Sequence, residues 1–374
     1  METPFTIITT QAQLNDFVET LDNSPISLDT EFVRTRTFVA NLGLLQVNQH
    51  GQITLIDPIT IPDLSPFWEA IDSKDCILHA SSEDLELIRD HKGDLNIKLF
   101  DTQIACAFLN MGASLGYAKM VEELEGVIVD KGESRTDWCA RPLSEKQISY
   151  AAIDVLHLPD CLTKLENELK QKGMLEYFED ECQTTLDLKM MPVDADNAYK
   201  SLNNLVKLDR QGIAIIKALA KWRLQTAQKR NIALNFVLKA ENLWLLAEYR
   251  PSDLDDLKRL HLHINEIRIH GNEILSIIKR VMSEDPESYP ALATRLDKYP
   301  LYKTTFKAVK EEIKAASIKH DLPAELIGSK RVIHEYLTWL WKFDESTADQ
   351  MPKLLKGWRQ TIVGHLLNQT QANR

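Results

Sequence analysis

Extended, strand-forming runs all lie within the first hundred or so residues of this chain, and from about Asn197 onward there is no strand pattern and no glycine-rich loop. That asymmetry excludes a uniform architecture and calls for an α/β unit followed by all-α units. A length of 374 residues suits two or three domains at roughly 100–200 residues each.

Taken in order, Phe5-Thr6-Ile7-Ile8 reads as a short strand and Gln11 to Leu21 as a helix with Leu14, Phe17, Val18 and Leu21 along one face. The turn Asp22-Asn23-Ser24-Pro25 delivers the stretch Ser27-Leu28-Asp29-Thr30-Glu31-Phe32-Val33-Arg34. Alternate side chains of a strand share a face, so Ser27, Asp29 and Glu31 point one way, and Ile26, Leu28 and Phe32, with Thr30 between them, point the other. Side-by-side carboxylates repel, which disfavours ionising both unless a cation lies between them. The plainer reading is a strand with one wet, acidic face. Gly43–Asn48 and Gln52–Ile56, separated by Gln49-His50-Gly51, form a hairpin signal. A short helix around Phe67–Ile71, a strand over Cys76–His79 and another ending at Phe100-Asp101-Thr102 follow. Ser81 and Asp84 match the capping-box pattern, which would make Asp84 an ordinary helix-start carboxylate. Thr102 is placed to cap a helix running to about Met111. Ser144, with Gln147 in the capping-box position, opens a helix that the periodicity carries to about Lys172. Tyr150 and Asp154 then share one face, a turn apart.

Charge separates the two halves. The net charge of −11 divides into −18 over residues 1–190 and +7 over residues 191–374. The acidic half could be partly offset by bound divalent metals, and the basic half could attract a polyanion. Ordinary solvated helix surface also accounts for the basic half. The five cysteines are scattered, with no CxxC pair, so reduced thiols are expected. No apolar run approaches the ~18–20 residues of a membrane span. Met1-Glu2-Thr3-Pro4 lacks the basic and apolar regions of a signal peptide. A cytoplasmic location with no membrane partner is therefore the expectation.

Asp29-x-Glu31, Asp84 at a helix start and Tyr150-x-x-x-Asp154, each after the expected element, resemble the DEDD exonucleases of the Tyr-containing subclass. Longer blocks narrow the resemblance to the ribonuclease D family. They are His79-Ala80-Ser81-Ser82-Glu83-Asp84-Leu85-Glu86, Phe100-Asp101-Thr102-Gln103, Gly132-Glu133-Ser134-Arg135-Thr136-Asp137-Trp138, Arg141-Pro142-Leu143-Ser144 and Tyr150-Ala151-Ala152-Ile153-Asp154-Val155. The segment Thr37-Phe38-Val39-Ala40-Asn41-Leu42 departs from the family, which commonly has a proline there.

The resemblance implies a ribonuclease H-like sandwich, with a mixed sheet of about five strands and helices on both faces. It also implies two divalent ions, Mg²⁺ or Mn²⁺, held by Asp29, Glu31, Asp84 and Asp154. Asp29 would bridge both ions, Glu31 and Asp154 would hold the ion that activates water, and Asp84 would serve the second, an arrangement suited to phosphodiester hydrolysis. Tyr150, whose ordinary pKa of about 10 makes it a poor base near neutrality, is assigned to orienting the attacking water.

In the second half, Gly212–Lys229 is an amphipathic helix. Lys221-Trp222-Arg223, Lys229-Arg230, Phe236-Val237-Leu238 and Arg268-Ile269-His270-Gly271 resemble the helicase-and-RNase-D C-terminal (HRDC) domain, with Ala233 where a proline is usual. Lys221, Arg223, Lys229 and Arg230 are either phosphate contacts or a solvated helix face, and Trp222 and Trp358 read as core. After the linker Ser283–Pro290, the blocks Leu322-Pro323-Ala324-Glu325-Leu326-Ile327, Ser329-Lys330-Arg331 and Lys356-Gly357-Trp358-Arg359 resemble a second such domain. The expected organisation is an exonuclease domain over 1–195, an HRDC domain over 205–288 and an HRDC-like domain over 291–374.

The resemblance implies a monomeric, metal-dependent 3′→5′ exoribonuclease. It would release 5′-mononucleotides from RNA with a single-stranded 3′ end, such as tRNA precursors. The alternatives are a 3′→5′ DNA exonuclease of the same superfamily and a non-catalytic nucleic-acid-binding scaffold.

Overall fold

The structure is a computed structural model that describes residues 4–129, 132, 136–293, 295–342 and 351–364. Glu133, Ser134 and Arg135 of the sequence motifs fall outside the described residues. The elements run β1 (Phe5–Ile8), α1 (Gln11–Val18), β2 (Ile26–Val33), β3 (Asn41–Gln49), β4 (Gln52–Ile56), α2 (Ser65–Ile71), β5 (Asp75–Leu78), α3 (Ser82–Lys92), β6 (Lys98–Asp101), α4 (Thr102–Phe108) and α5 (Tyr117–Glu125). Helices follow: α6 (Glu145–Leu156), α7 (Leu158–Gln171), α8 (Leu175–Met190), α9 (Arg210–Arg230), α10 (Leu234–Val237), α11 (Ala240–Tyr249), α12 (Leu254–Arg259), α13 (Ile264–Met282), α14 (Tyr302–His320), α15 (Ala324–Gly328), α16 (Lys330–Leu340) and α17 (Gly357–Val363). The α/β plus all-α expectation is met.

The chain forms two compact units, one of Met1–Val33, Asn41–Met191 and Pro300–Arg374, the other of Arg34–Ala40 and Pro192–Tyr299. In the first, one mixed sheet has the order β1-β4-β3-β2-β5-β6. It has six strands, where the family resemblance implied about five and the strand patterns themselves marked six. β2–β3 and β3–β4 are antiparallel, whereas β1–β4, β2–β5 and β5–β6 are parallel. The hairpin turn is His50-Gly51, both at positive φ (56° and 78°), as a tight two-residue connection requires. β2 is therefore central, with Ile26 and Leu28 buried. It pairs with β5 only at Ile26 and Ser27, so beyond Ser27 its β5-side edge is free to meet other elements.

Helix starts follow local chemistry in part. Ser144 and Gln147 form the expected capping box, the Gln147 amide donating to Ser144 Oγ (3.2 Å) and the Ser144 amide to Gln147 Oε1 (3.0 Å). The single helix expected to reach Lys172 is instead two, α6 and α7, divided at His157. Pro159 at the second position of α7 brings no N–H for an i→i−4 bond, and the apolar spacing runs on across the break. Two expected caps are corrected as well. Asp101, not Thr102, caps α4, accepting the Gln103 and Ile104 amides at 2.8 and 3.3 Å, while the Thr102 hydroxyl donates to the Leu78 carbonyl (3.2 Å). Ser81 makes no side-chain cap on α3.

The C-terminal helices of this unit pack on α8. Trp358 is 3% exposed, with its ring 5.0 Å from Phe108 and stacked 6.2 Å from Tyr177, centroid to centroid. Glu181 accepts from Trp358 Nε1 (2.9 Å), Lys353 Nζ (2.9 Å) and the Arg359 guanidinium. Gly357 has φ +52°, and a Cβ there would lie 2.0 Å from Asp180 Oδ2, the oxygen that accepts the Trp358 amide at 2.8 Å.

In the second unit, α9 is buried along Ile213, Ile216, Leu219 and Ala227 against Leu243, Leu246, Ile274 and Ile278. Trp222 belongs to this core, as expected. Arg223 is buried too, donating to the Leu234 carbonyl (3.2 Å) and Asn235 Oδ1 (2.7 Å). It is therefore a helix-to-helix tie and not a phosphate contact. Lys221 pairs with Asp196 at 2.7 Å. Ala233, in the place of a usual proline, uses the amide a proline lacks to donate to Arg36 O (2.8 Å).

Candidate active site

β2 carries Asp29 and Glu31 at the middle of the sheet, and α6 brings Tyr150 and Asp154 across it. Single carboxylate oxygens of Asp29, Glu31 and Asp154 all lie within 4.8 Å of one another, and all three residues are half-buried. These side chains line a cleft of about 450 Å³ together with Thr30, Phe32, His79, Asp84, Tyr117 and Tyr150. All five residues picked from the sequence thus reach one cavity.

Asp84 stands outside the three-way cluster. It is the third residue of α3, buried, and its Oδ1 accepts a hydrogen bond from Thr30 Oγ1. Thr30, which alternation sets on the face away from Asp29 and Glu31, also lines the cleft. Asp84 does stand in the first turn of α3, but the capping box is absent, because the Ser81 hydroxyl donates to Asp101 Oδ2 (2.8 Å) and not to the helix.

Crowded, desolvated carboxylates resist ionisation. Burial, and then the charges of Asp84, Asp154 and Glu31, raise the Asp29 pKa well above its ordinary value. Burial with Asp154 and Asp84 pushes Glu31 up to about 9. Burial lifts Asp84 to about 7 against the opposing Thr30 bond, and lifts Asp154 to about 7 against a hydrogen bond with Tyr150. Burial, then Asp154, Glu31 and Asp29, drive the Tyr150 phenol above its usual value, so it keeps its proton.

Tyr150 is backed by a second layer. Its ring lies 6.1 Å from that of Trp138, which is 1% exposed. Trp138 in turn sits on Gly43, the residue skipped where the β2–β3 register shifts between Glu31 and Phe32. A Cβ at Gly43 would lie 2.7 Å from the Trp138 carbonyl oxygen. Arg141 ties this layer down, donating to both Asp57 oxygens (2.7 Å each), to Trp138 O (2.9 Å) and to Gly43 O (2.7 Å). On the opposite side, Tyr117 donates to the Ile153 carbonyl next to Asp154 (2.6 Å). The His79 ring meets Tyr117 edge-on at 5.7 Å, and its Nδ1 is 2.9 Å from Thr102 Oγ1. Thr30, Tyr117 and Trp138 were not singled out as functional from sequence, because their roles come from neighbours distant in the chain.

Hard oxygen donors on separate elements, converging within 4.8 Å and raised in pKa by one another, match what a hard divalent cation requires. A cation would offset the repulsion that keeps these groups protonated.

Comparison with known proteins agrees along the whole chain. Residues 5–170 match the family described as 3′-5′ exonuclease, 213–278 the HRDC domain, and 300–367 the ribonuclease D C-terminal HRDC domain. Ribonuclease D of Psychromonas ingrahamii is 67% identical over 364 residues, covering 96% of this chain and 98% of that protein. Ribonuclease D of Escherichia coli K12 is 39% identical over 367 residues, covering 97% of each. The crystal structure of Escherichia coli RNase D, described as an exoribonuclease involved in structured RNA processing, superposes with a TM-score of 0.94 at 38% identity over 99% of both chains. This chain belongs to the ribonuclease D family of metal-dependent 3′-5′ exonucleases.

Proposed function

We propose that this exoribonuclease releases 5′-mononucleotides from single-stranded 3′ ends, with Asp29, Glu31, Asp84 and Asp154 holding two divalent ions, Mg²⁺ or Mn²⁺, and Tyr150 orienting the attacking water. The observation that carries it is the convergence of Asp29, Glu31 and Asp154 oxygens within 4.8 Å beside a Tyr150 hydroxyl that bonds Asp154. Bound there, the ions would lower the pKa of the attacking water and offset the charge gathering on the leaving 3′ oxygen.

The chain's own groups divide the remaining work. Asp29 would serve both ions, Glu31 and Asp154, beside Tyr150, would hold the ion that activates water, and Asp84, held by Thr30, would serve the second. Tyr150 stays protonated and fixes the water through its hydroxyl rather than removing a proton. A half-buried cluster in a cleft admits an unpaired strand end more readily than a duplex.

The substrates are RNAs with unpaired 3′ tails, tRNA precursors among them, a reading supported by the structured-RNA role described for the Escherichia coli relative. The enzyme works as a cytoplasmic monomer. No described helix is long and apolar enough to cross a membrane. The domains are 1–195, 205–288 and 291–374, a division supported by the three family matches.

Trimming of a 3′-labelled RNA in Mg²⁺ by the wild type and by Asp154→Asn tests the site. Release of labelled 5′-mononucleotide by the wild type and near-complete loss in the variant is expected. Equal trimming by both would remove the mechanism, and faster trimming of a DNA tail of the same sequence would favour the DNA alternative.

A further inference from the structure

Asp101 is not in the cleft lining, yet it is 3% exposed and its two carboxylate oxygens accept five hydrogen bonds. Oδ1 takes the amides of Ala80 (3.1 Å), Gln103 (2.8 Å) and Ile104 (3.3 Å). Oδ2 takes the amide and the hydroxyl of Ser81, both at 2.8 Å. Asp101 closes β6 opposite Leu78, the last residue of β5. Between Leu78 and α3 the chain has only His79, Ala80 and Ser81 in which to reverse from strand to helix. Ala80 makes that turn at φ +57°, a left-handed conformation that an alanine adopts only when its surroundings impose it.

We propose that Asp101 is a positioning residue for metal binding: its carboxylate imposes the left-handed turn at Ala80, and that turn aims the first turn of α3, with Asp84, into the cleft. The inference rests on the reading of Asp84 as a metal ligand. One carboxylate does two jobs, since the same oxygen that holds the Ala80 amide also caps α4. The directions of α3 and α4 are thereby fixed to each other at a single point. Asparagine there keeps one acceptor oxygen for the Ala80, Gln103 and Ile104 amides but turns its N–H groups toward the Ser81 amide, a donor that needs an acceptor, and so loosens the hold on the turn. The turn would then relax toward ordinary backbone angles and Asp84 would leave its position. Outer-layer partners of metal ligands act in this way elsewhere, with losses of about 10–100-fold in metal affinity on mutation.

The test is Mn²⁺ binding to the full-length protein by isothermal titration calorimetry, alongside the Mg²⁺ dependence of RNA trimming. Asp101→Asn is expected to bind Mn²⁺ about 10–100-fold more weakly and to need correspondingly more Mg²⁺, with KM for RNA unchanged. Adding Ala80→Gly, which enters the left-handed region without strain, is expected to restore much of the Mn²⁺ affinity. Unchanged Mn²⁺ affinity in Asp101→Asn, or a loss that Ala80→Gly does not reduce, overturns the proposal. If Asp101→Asn does not fold, Ser81→Ala carries the test. It removes one of the five bonds, so a smaller loss in the same direction is expected, and wild-type affinity overturns the proposal. Asp84→Asn is the reference: wild-type Mn²⁺ binding there would sink the ligand reading and this inference together. A loss confined to Asp84→Asn would sink the inference alone.

Discussion

Thr30 Oγ1 donates to Asp84 Oδ1 inside the cleft, and both residues are buried. The bond pulls the Asp84 pKa down against the burial that raises it, and it ties the Asp84 side chain to β2. Thr30→Val keeps the shape and removes the donor. Asp84 should then be harder to ionise at neutral pH, and the Mg²⁺ concentration for half-maximal trimming should rise roughly tenfold. The defect should shrink as the pH is raised and Asp84 ionises. A Mg²⁺ titration at pH 7 and pH 9 checks both parts, and a requirement equal to wild type at pH 7 would count against the tie.

Metal-free stability should fall as pH rises. Asp84 and Asp154 titrate near 7 and Glu31 near 9 in the folded chain, against ordinary values of 3.8 and 4.5. Between the ordinary and the raised values the folded state holds more protons than the unfolded one, so stability declines with pH across that window. Divalent ions that bind only the folded form reverse the effect. Melting temperatures in EDTA and in Mg²⁺ should therefore differ little at pH 5 and most at pH 8. An equal shift at both would contradict the linkage.

The Glu181 cluster gives the opposite sign. Burial alone would raise the Glu181 pKa, but the hydrogen bond and charge of Arg359, with Lys353, hold it below the ordinary 4.5. Its contribution is full above about that value and is lost as pH falls through the lowered one. Glu181→Gln leaves the Arg359 guanidinium buried without its counter-charge and should cost ~3–5 kcal/mol at pH 7. Urea unfolding at pH 7 and pH 3 checks this: the variant's deficit should be large at the first and small at the second.

Gly43→Ala tests the layer behind Tyr150. The added Cβ would press on the Trp138 backbone at 2.7 Å, and close overpacking of this kind costs ~1–3 kcal/mol. Because Trp138 backs the Tyr150 ring, kcat should fall roughly tenfold while KM for RNA stays near wild type. Stopped-flow trimming with thermal melts separates the two effects; a stability loss with unchanged kcat would detach Trp138 from catalysis.

Features written in consecutive residues were legible in the sequence. The Ser144–Gln147 box and the hairpin after Asn48 follow from spacing alone, whereas the family resemblance was needed to join the acids of β2 and α6 with Asp84 into one site. Contacts set by distant elements were not. The tie from Thr30 to Asp84 was not legible, because its partner lies 54 residues further along the chain. Ser81 matched a cap pattern while its hydroxyl serves Asp101. The break at His157 was hidden because apolar spacing continues through it. Arg223 looked like surface charge until α10 closed over it.

The pairing of Glu181 with Arg359 also sets an order of events during synthesis. α8 is translated before the residues that neutralise and cover Glu181, which are Lys353, Trp358 and Arg359, 172–178 residues further along. A nascent chain can form its sheet and cleft while this face of α8 is still wet. The first compact unit is completed only after Arg359 has been translated.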